Sequence, residues 1–229
     1  MISLKEQEGL FDLIGENLKK RVEAILIGGS AMMYHGTKEA TKDIDIVFSK
    51  DKDREDIIRI LEQLGFRERD SRILYANRKD LPILMQRGDD RIDLFCGKII
   101  YFRLSETMTE RADGVYEHGN FIVKTLSPED IILLKCVTER AGDRKDAMDI
   151  IEKHDINWKT IMEESERQTE LGEDVFPVYL YDFLLELKED LKAEVPDNVL
   201  KEIRKIGEKR MEEVLKKGKK GKSKNKNPA

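Results

Sequence analysis

The sequence predicts a mixed α/β fold: a β-sheet with helices packed on it, followed by an all-helical C-terminal extension. Three observations carry this. Up to residue 154, short apolar runs rich in isoleucine and valine alternate with segments of helical period. Some of those runs are joined by polar turns short enough for antiparallel pairing, as at Arg87-Gly88-Asp89-Asp90 and His118-Gly119-Asn120. Beyond residue 155 only helical periodicity remains, so strands beside helices give way to helices alone.

Residues 4 to 20 read as a helix with Leu4, Leu10, Phe11, Ile14 and Leu18 on one side. Ala24 to Ile27 is a buried strand that ends in Gly28-Gly29-Ser30, and Ala31 to Tyr34 is a short helix broken by Gly36. A second strand runs from Asp43 to Phe48. Residues 53 to 64 repeat the helical pattern through Ile57, Ile58, Ile60, Leu61 and Leu64, with Gly65 as the stop. Strands follow at Ile73 to Ala76, Pro82 to Gln86 and Arg91 to Phe95. Leu104 to Ala112 is a helix capped by Ser105, and Val115 to Leu126 is a hairpin. Ser127-Pro128-Glu129-Asp130 supplies an N-cap, a first-turn proline and two acids, which start a helix running to Arg140. The extension holds helices at Trp158 to Leu171, Pro177 to Leu191 and Asp197 to Leu215. Residues 175 to 185 are apolar nearly all round, which calls for burial against the first domain or a second subunit.

The chemistry concentrates between Ala24 and Phe48. Glycines between a strand and a helix start let backbone N–H groups approach a ligand closely, and a helix start favours an anion such as phosphate. Side chains alternate along a strand, so Asp43 and Asp45 share one face, about 7 Å apart. Two carboxylates so placed repel unless a positive charge lies between them, and a hard divalent cation with oxygen ligands fits. A phosphate cradle beside a carboxylate pair describes a site for a metal-bound nucleotide.

Gly28-Gly29-Ser30, a helix, and then Thr41-Lys42-Asp43-Ile44-Asp45 closely resemble the nucleotidyltransferase superfamily to which DNA polymerase beta belongs. Within it the chain is similar to the small prokaryotic branch containing abortive-infection type II toxins. The resemblance covers about residues 20 to 154. It implies that Gly28, Gly29, Ser30 and Thr41 bind the phosphates of a nucleoside triphosphate. It also implies that Asp43, Asp45 and a third, later carboxylate hold magnesium, as two ions, with manganese as the substitute. Relatives often carry an arginine three residues after the glycine that is Gly36 here; this chain has Glu39 there, with Lys38 beside it. Either Lys38 supplies the missing charge to the phosphates or activity is reduced.

Asp93 is the later acid, alone in the apolar strand Arg91 to Phe95. An unpaired carboxylate there is costly. It is either a core acid satisfied by Arg91 or Arg103, or the third metal ligand and the base that activates an attacking hydroxyl. Following the Asp-x-Asp pair, the second reading leads. Lys135, amid Ile131 to Val137, either snorkels to water or takes the place of the lysine that faces the triphosphate in similar proteins. Asp146 and Asp149 share a helix face and read as capping acids paired with Arg140 or Arg144, outside catalysis.

Composition narrows the partners. The chain has 229 residues and a net charge of −5, yet residues 216 to 226 hold seven lysines and no acid. Without them 35 basic residues face 47 acidic ones, a balance of −12. Such a body repels nucleic acid, which with no recognition helix weighs against a DNA-binding role, whereas the tail attracts phosphate or merely solubilises a disordered end. Cys96, Cys136 and three histidines show no zinc spacing, and no run reaches transmembrane length. An amphipathic, acid-bearing N-terminus is no signal peptide, which places the chain in the cytoplasm.

The expected organisation is a nucleotidyltransferase-like catalytic domain at residues 1 to 154, a helical region at 155 to 215 and a disordered lysine-rich tail at 216 to 229. The expected activity is magnesium-dependent transfer of a nucleoside monophosphate from an NTP to an acceptor. The sequence does not identify the acceptor: the lysine tail and the resemblance to the toxin branch suggest RNA, particularly tRNA, and a protein hydroxyl or a small molecule stays open. The C-terminal helices are the expected surface for a homodimer. The competing reading is a non-catalytic protein of this fold that senses a nucleotide or binds a partner.

Overall fold

The computed structural model describes residues 1–75, 80–112, 114–137 and 140–224. The chain forms two compact units, Met1–Leu134 and Lys135–Ala229.

In the first unit, β1 (Ile2–Ser3) leads into α1 (Leu4–Asn17), where Ser3 and Glu6 form a reciprocal capping box. Then come β2 (Val22–Ile27), α2 (Gly28–Tyr34), β3 (Ala40–Thr41), β4 (Ile44–Phe48) and α3 (Asp51–Gln63). The chain continues through β5 (Arg67–Arg69), α4 (Arg72–Tyr75), β6 (Ile83–Arg87), β7 (Asp90–Cys96), β8 (Lys98–Ile99) and β9 (Phe102–Arg103). It closes with α5 (Glu106–Arg111), β10 (Gly114–His118), β11 (Phe121–Thr125) and α6 (Pro128–Cys136), the last ending just past the boundary.

Among the described residues the main sheet has nine strands, in the order β10-β11-β2-β4-β7-β6-β5, with β8 attached to β7 and β9 to β8. It is mixed: β11 with β2 and β4 with β7 are parallel, whereas β2 with β4 and both hairpins are antiparallel. Parallel strands need a crossover, and α3 lies on the crossover from β4 to β7. Helices α1 and α3 pack side by side, α1 on β10 and β11 and α3 on β4 and β7. Their buried residues, Phe11 and Ile14 from α1 and Ile57, Ile60 and Leu61 from α3, meet Ile44, Ile46 and Leu94 in one apolar core. Phe11 touches His118 and Phe121 edge-on. The central strands β4 and β7, which α3 covers, carry the acids.

The mixed sheet with helices is as expected, and Gly36 and Gly65 end α2 and α3 in the left-handed conformation. One expected strand takes another form, and the short strands β1, β3, β5, β8 and β9 are additional. Residues 72–75 are helical instead of a strand from Ile73 to Ala76, and Ala76 lies outside the described residues. Asp70 accepts a hydrogen bond from the Arg72 N–H (3.0 Å), a local bond that draws the chain into a turn.

The second unit is helical: α7 (Ala141–Lys153), α8 (Trp158–Glu170), α9 (Phe176–Glu189) and α10 (Asp197–Lys224). Helices α8, α9 and α10 pack on one another, and α7 packs on α9. α7 falls within this second unit. Burial along α9 follows helical period: Phe176, Leu180, Phe183 and Leu184 are buried, but Val175 and Tyr179 stay exposed. The 175–185 segment is accordingly buried on one side and carries apolar side chains on its exposed side as well. α10 continues through the lysine-rich stretch to Lys224, and residues 225–229 lie outside the described residues. No helix among the described residues is long and apolar enough to cross a membrane.

Candidate active site

The site is assembled by strand register. β2 and β4 are antiparallel with Ile27 opposite Asp45, so the chain leaves β2 into Gly28 beside that carboxylate. Gly28 has φ +57°, and a Cβ there would lie 2.7 Å from Asp45 Oδ2. Only glycine fits both the conformation and the space. A Cβ on Gly29 would lie 2.5 Å from Thr41 Oγ1 and 3.6 Å from Cδ of Lys38. The glycine turn, Thr41, the stem of Lys38 and Asp45 therefore share one neighbourhood. Glu39 is exposed.

Ser30 is fully buried. Its hydroxyl donates to the Asp43 carbonyl (3.4 Å) and accepts from the Asp45 N–H (3.3 Å). The serine thus joins α2 to the backbone of the Asp-x-Asp pair. No side chain caps the first turn of α2, so its leading N–H groups are not spent on a capping side chain.

β4 and β7 are parallel, with Asp45 opposite Asp93 and Ile44 opposite Ile92. Extending the register by one residue sets Asp43 beside Arg91. Because faces alternate, Asp43, Asp45, Asp93 and Arg91 all project to the same side. Asp43, Asp45 and Asp93 can each offer a carboxylate oxygen within 4.8 Å of the others, and Asp93 is fully buried. No other such group of His, Cys, Asp or Glu occurs among the described residues. An all-oxygen, triply anionic donor set of this size fits a hard divalent cation such as magnesium or manganese.

Arg91 is the feature that the sequence only half reveals. It forms an ion pair with Asp43, and its Nε lies 3.3 Å from Asp93 Oδ1. The core-acid reading and the metal-ligand reading of Asp93 therefore meet at one place. The signal for Asp93 was the i, i+2 spacing; nothing local pointed to Asp43, which reaches Arg91 through a non-local strand pair.

Lys135 belongs to the second unit. It is buried, with Nζ 2.7 Å from Asp143 and 2.6 Å from Asp146. Burial disfavours its charge, but the two carboxylates outweigh burial and raise its pKa. Asp146 thus pairs with Lys135, where Arg140 or Arg144 was expected; Arg144 instead reaches Glu186 (2.5 Å). Cys136 is buried and its thiol pKa is pushed up by burial, consistent with an inert core residue.

Acids from two parallel strands, converging beside a glycine turn on a mixed sheet, define the nucleotidyltransferase class. The chain belongs to the family described as nucleotidyltransferase of unknown function (DUF6036), whose model matches residues 8–182. No curated protein matches the sequence. Similar solved structures include the following two. One is ANT(2")-Ia in complex with adenylyl-2"-tobramycin, at 17% identity and a TM-score of 0.43, covering 79% of this chain and 98% of that one. The other is an antigenic nucleotidyltransferase-like protein from Paracoccidioides brasiliensis, at 14% identity and a TM-score of 0.46, covering 87% and 98%.

Proposed function

We propose that the protein is a magnesium-dependent nucleotidyltransferase that moves a nucleoside monophosphate from an NTP to an acceptor hydroxyl. The observation that carries the reading is the convergence of Asp43, Asp45 and Asp93 beside the Gly28-Gly29 turn. Backbone N–H groups of Gly28, Gly29 and Ser30 bind the triphosphate, with Lys38 and Thr41 alongside. Asp43 and Asp45 would hold one magnesium ion, and Asp93 would help hold a second. When bound, the ions neutralise phosphate charge and lower the pKa of the acceptor hydroxyl. Asp93 takes the acceptor proton; the acceptor oxygen then bonds to the α-phosphorus as the bond to the β-phosphate breaks, and pyrophosphate leaves. Ser30, through the backbone of Asp43 and Asp45, keeps the pair on one face.

RNA, tRNA in particular, is the acceptor class we favour, on the strength of the lysine-rich C-terminus and the resemblance to the toxin branch. The C-terminal helices as a homodimer surface are a further part of this proposal. Titration of each NTP with magnesium into wild type, Asp43→Asn and Asp45→Asn is the test. Tight NTP binding indifferent to metal and to both substitutions refutes it. Labelled NTPs incubated with total cellular RNA or lysate identify the acceptor. Deleting residues 216–229 should weaken RNA binding in a salt-dependent way if the tail takes part.

A second reading is a non-catalytic protein of this fold that senses a nucleotide or binds a partner. Two observations favour it: Glu39 stands where similar proteins carry arginine, and Arg91 is ion-paired to two of the acids. NTP binding without turnover on any acceptor would decide for it.

A further inference from the structure

We propose that Arg91 is an internal counter-cation of the acidic cluster, one that competes with divalent metal for Asp43 and Asp93 and must swing away before an ion binds. This rests on the metal site proposed above. Three carboxylates within 4.8 Å of one another, one of them fully buried, repel strongly in the absence of a cation. Arg91 answers that repulsion. It projects to the same side as the acids, pairs with Asp43 and places Nε 3.3 Å from Asp93 Oδ1. A guanidinium is permanently charged and forked, so it can span two carboxylates at once.

The same property makes it a competitor. A metal ligand oxygen must approach the ion to about 2.0–2.1 Å for magnesium, and an oxygen engaged by a guanidinium faces a positive charge already in place. The ion and the arginine cannot both hold Asp43 and Asp93 without cation–cation repulsion. The Arg91 side chain is 24% exposed, so it has a solvent-facing route by which to leave. Part-buried ion pairs of this kind shift equilibria by roughly 10- to 100-fold, and free-metal affinity is depressed on that scale.

The test is titration of Mn²⁺ alone, followed by the electron paramagnetic resonance of the free ion, into wild type, Arg91→Gln and Arg91→Lys, with Asp43→Asn as the reference. Arg91→Gln should bind Mn²⁺ at least about 10-fold more tightly than wild type. Its metal-free form should melt lower than wild type, and Mn²⁺ should raise its Tm by the larger amount. Arg91→Lys keeps the charge but loses the fork; it should also bind more tightly than wild type, and it serves if the glutamine variant does not fold. Wild-type binding that is lost in Asp43→Asn, with equal or weaker affinity in both Arg91 variants, overturns the competition and leaves the metal site standing. Absence of Mn²⁺ binding from wild type and both Arg91 variants removes the metal site and this role together.

Discussion

Asp45 stands opposite Asp93 in the parallel pairing of β4 with β7. Neither strand alone makes a cluster; the register does, by setting the second acid of the Asp-x-Asp pair beside an acid from a distant strand. Replacing Asp45 by asparagine keeps shape and removes one charge. Nucleotidyl transfer should fall at least about 100-fold, since metal-held charge stabilisation is worth several kcal/mol. The metal-free protein should be as stable as wild type or more so, because like charges are relieved. Paired activity and thermal-denaturation measurements check this; a large stability loss with activity retained would make Asp45 a structural acid.

The glycine turn separates backbone strain from site geometry. Gly36 and Gly28 both have positive φ, +67° and +57°, but a Cβ on Gly36 meets nothing within 4 Å whereas one on Gly28 would be 2.7 Å from Asp45 Oδ2. Each alanine substitution should cost about 1–2 kcal/mol for the left-handed conformation. Gly28→Ala should in addition weaken Mn²⁺ binding, because the Asp45 carboxylate must move. Denaturant unfolding and metal titration on both variants distinguish the two effects.

Much of this was open to inspection in the sequence because it depends on local periods. Alternation along a strand puts Asp43 and Asp45 together, and the capping signals at Ser105 and Ser127 need only neighbouring residues. What escaped depends on non-local pairing. The contact of Arg91 with Asp43 needs the β4–β7 register. The partner of Asp146 is a lysine on the preceding helix, which no spacing rule within α7 can supply. At Ile73 to Ala76 the reason is the opposite: an apolar run favours a strand, but Asp70 accepts from both the N–H and the guanidinium of Arg72, and residues 72–75 are helical. On α9, composition overstated burial, since Tyr179 is 51% exposed although Phe183, one turn on, is buried.

A second acid is held in the first unit away from the cluster. Asp130 is fully buried, receives two hydrogen bonds from Arg111 (2.6 and 3.1 Å) and one from the Ser127 hydroxyl (3.0 Å). It is therefore more than a first-turn dipole acid; it ties α5 to the start of α6. Arg111→Met leaves a buried carboxylate short of its cation and should cost about 3–5 kcal/mol. Ser127→Ala should cost about 1 kcal/mol. The double variant should be less destabilised than the sum, since both act on one carboxylate. Urea unfolding of the full cycle reads this directly, and strict additivity would show that Asp130 does not couple them.

Lys135 makes the corresponding prediction in the second unit, with a defined pH signature. Its pKa lies above the ordinary 10.5: burial opposes the charge, but Asp143 and Asp146 outweigh it. A lysine whose folded pKa exceeds its unfolded value stabilises fully below the unfolded value. That contribution is lost as pH rises through the folded value. Lys135→Met leaves two carboxylates without their shared cation and should cost about 3–5 kcal/mol at neutral pH. The gap between wild type and variant should stay level from pH 7 to about 10, then narrow at higher pH as the lysine of the wild type is neutralised. Equilibrium unfolding across that range checks the sign. A gap that widened toward alkaline pH would mean that Lys135 is held neutral, and that the two aspartates are balanced by some other charge.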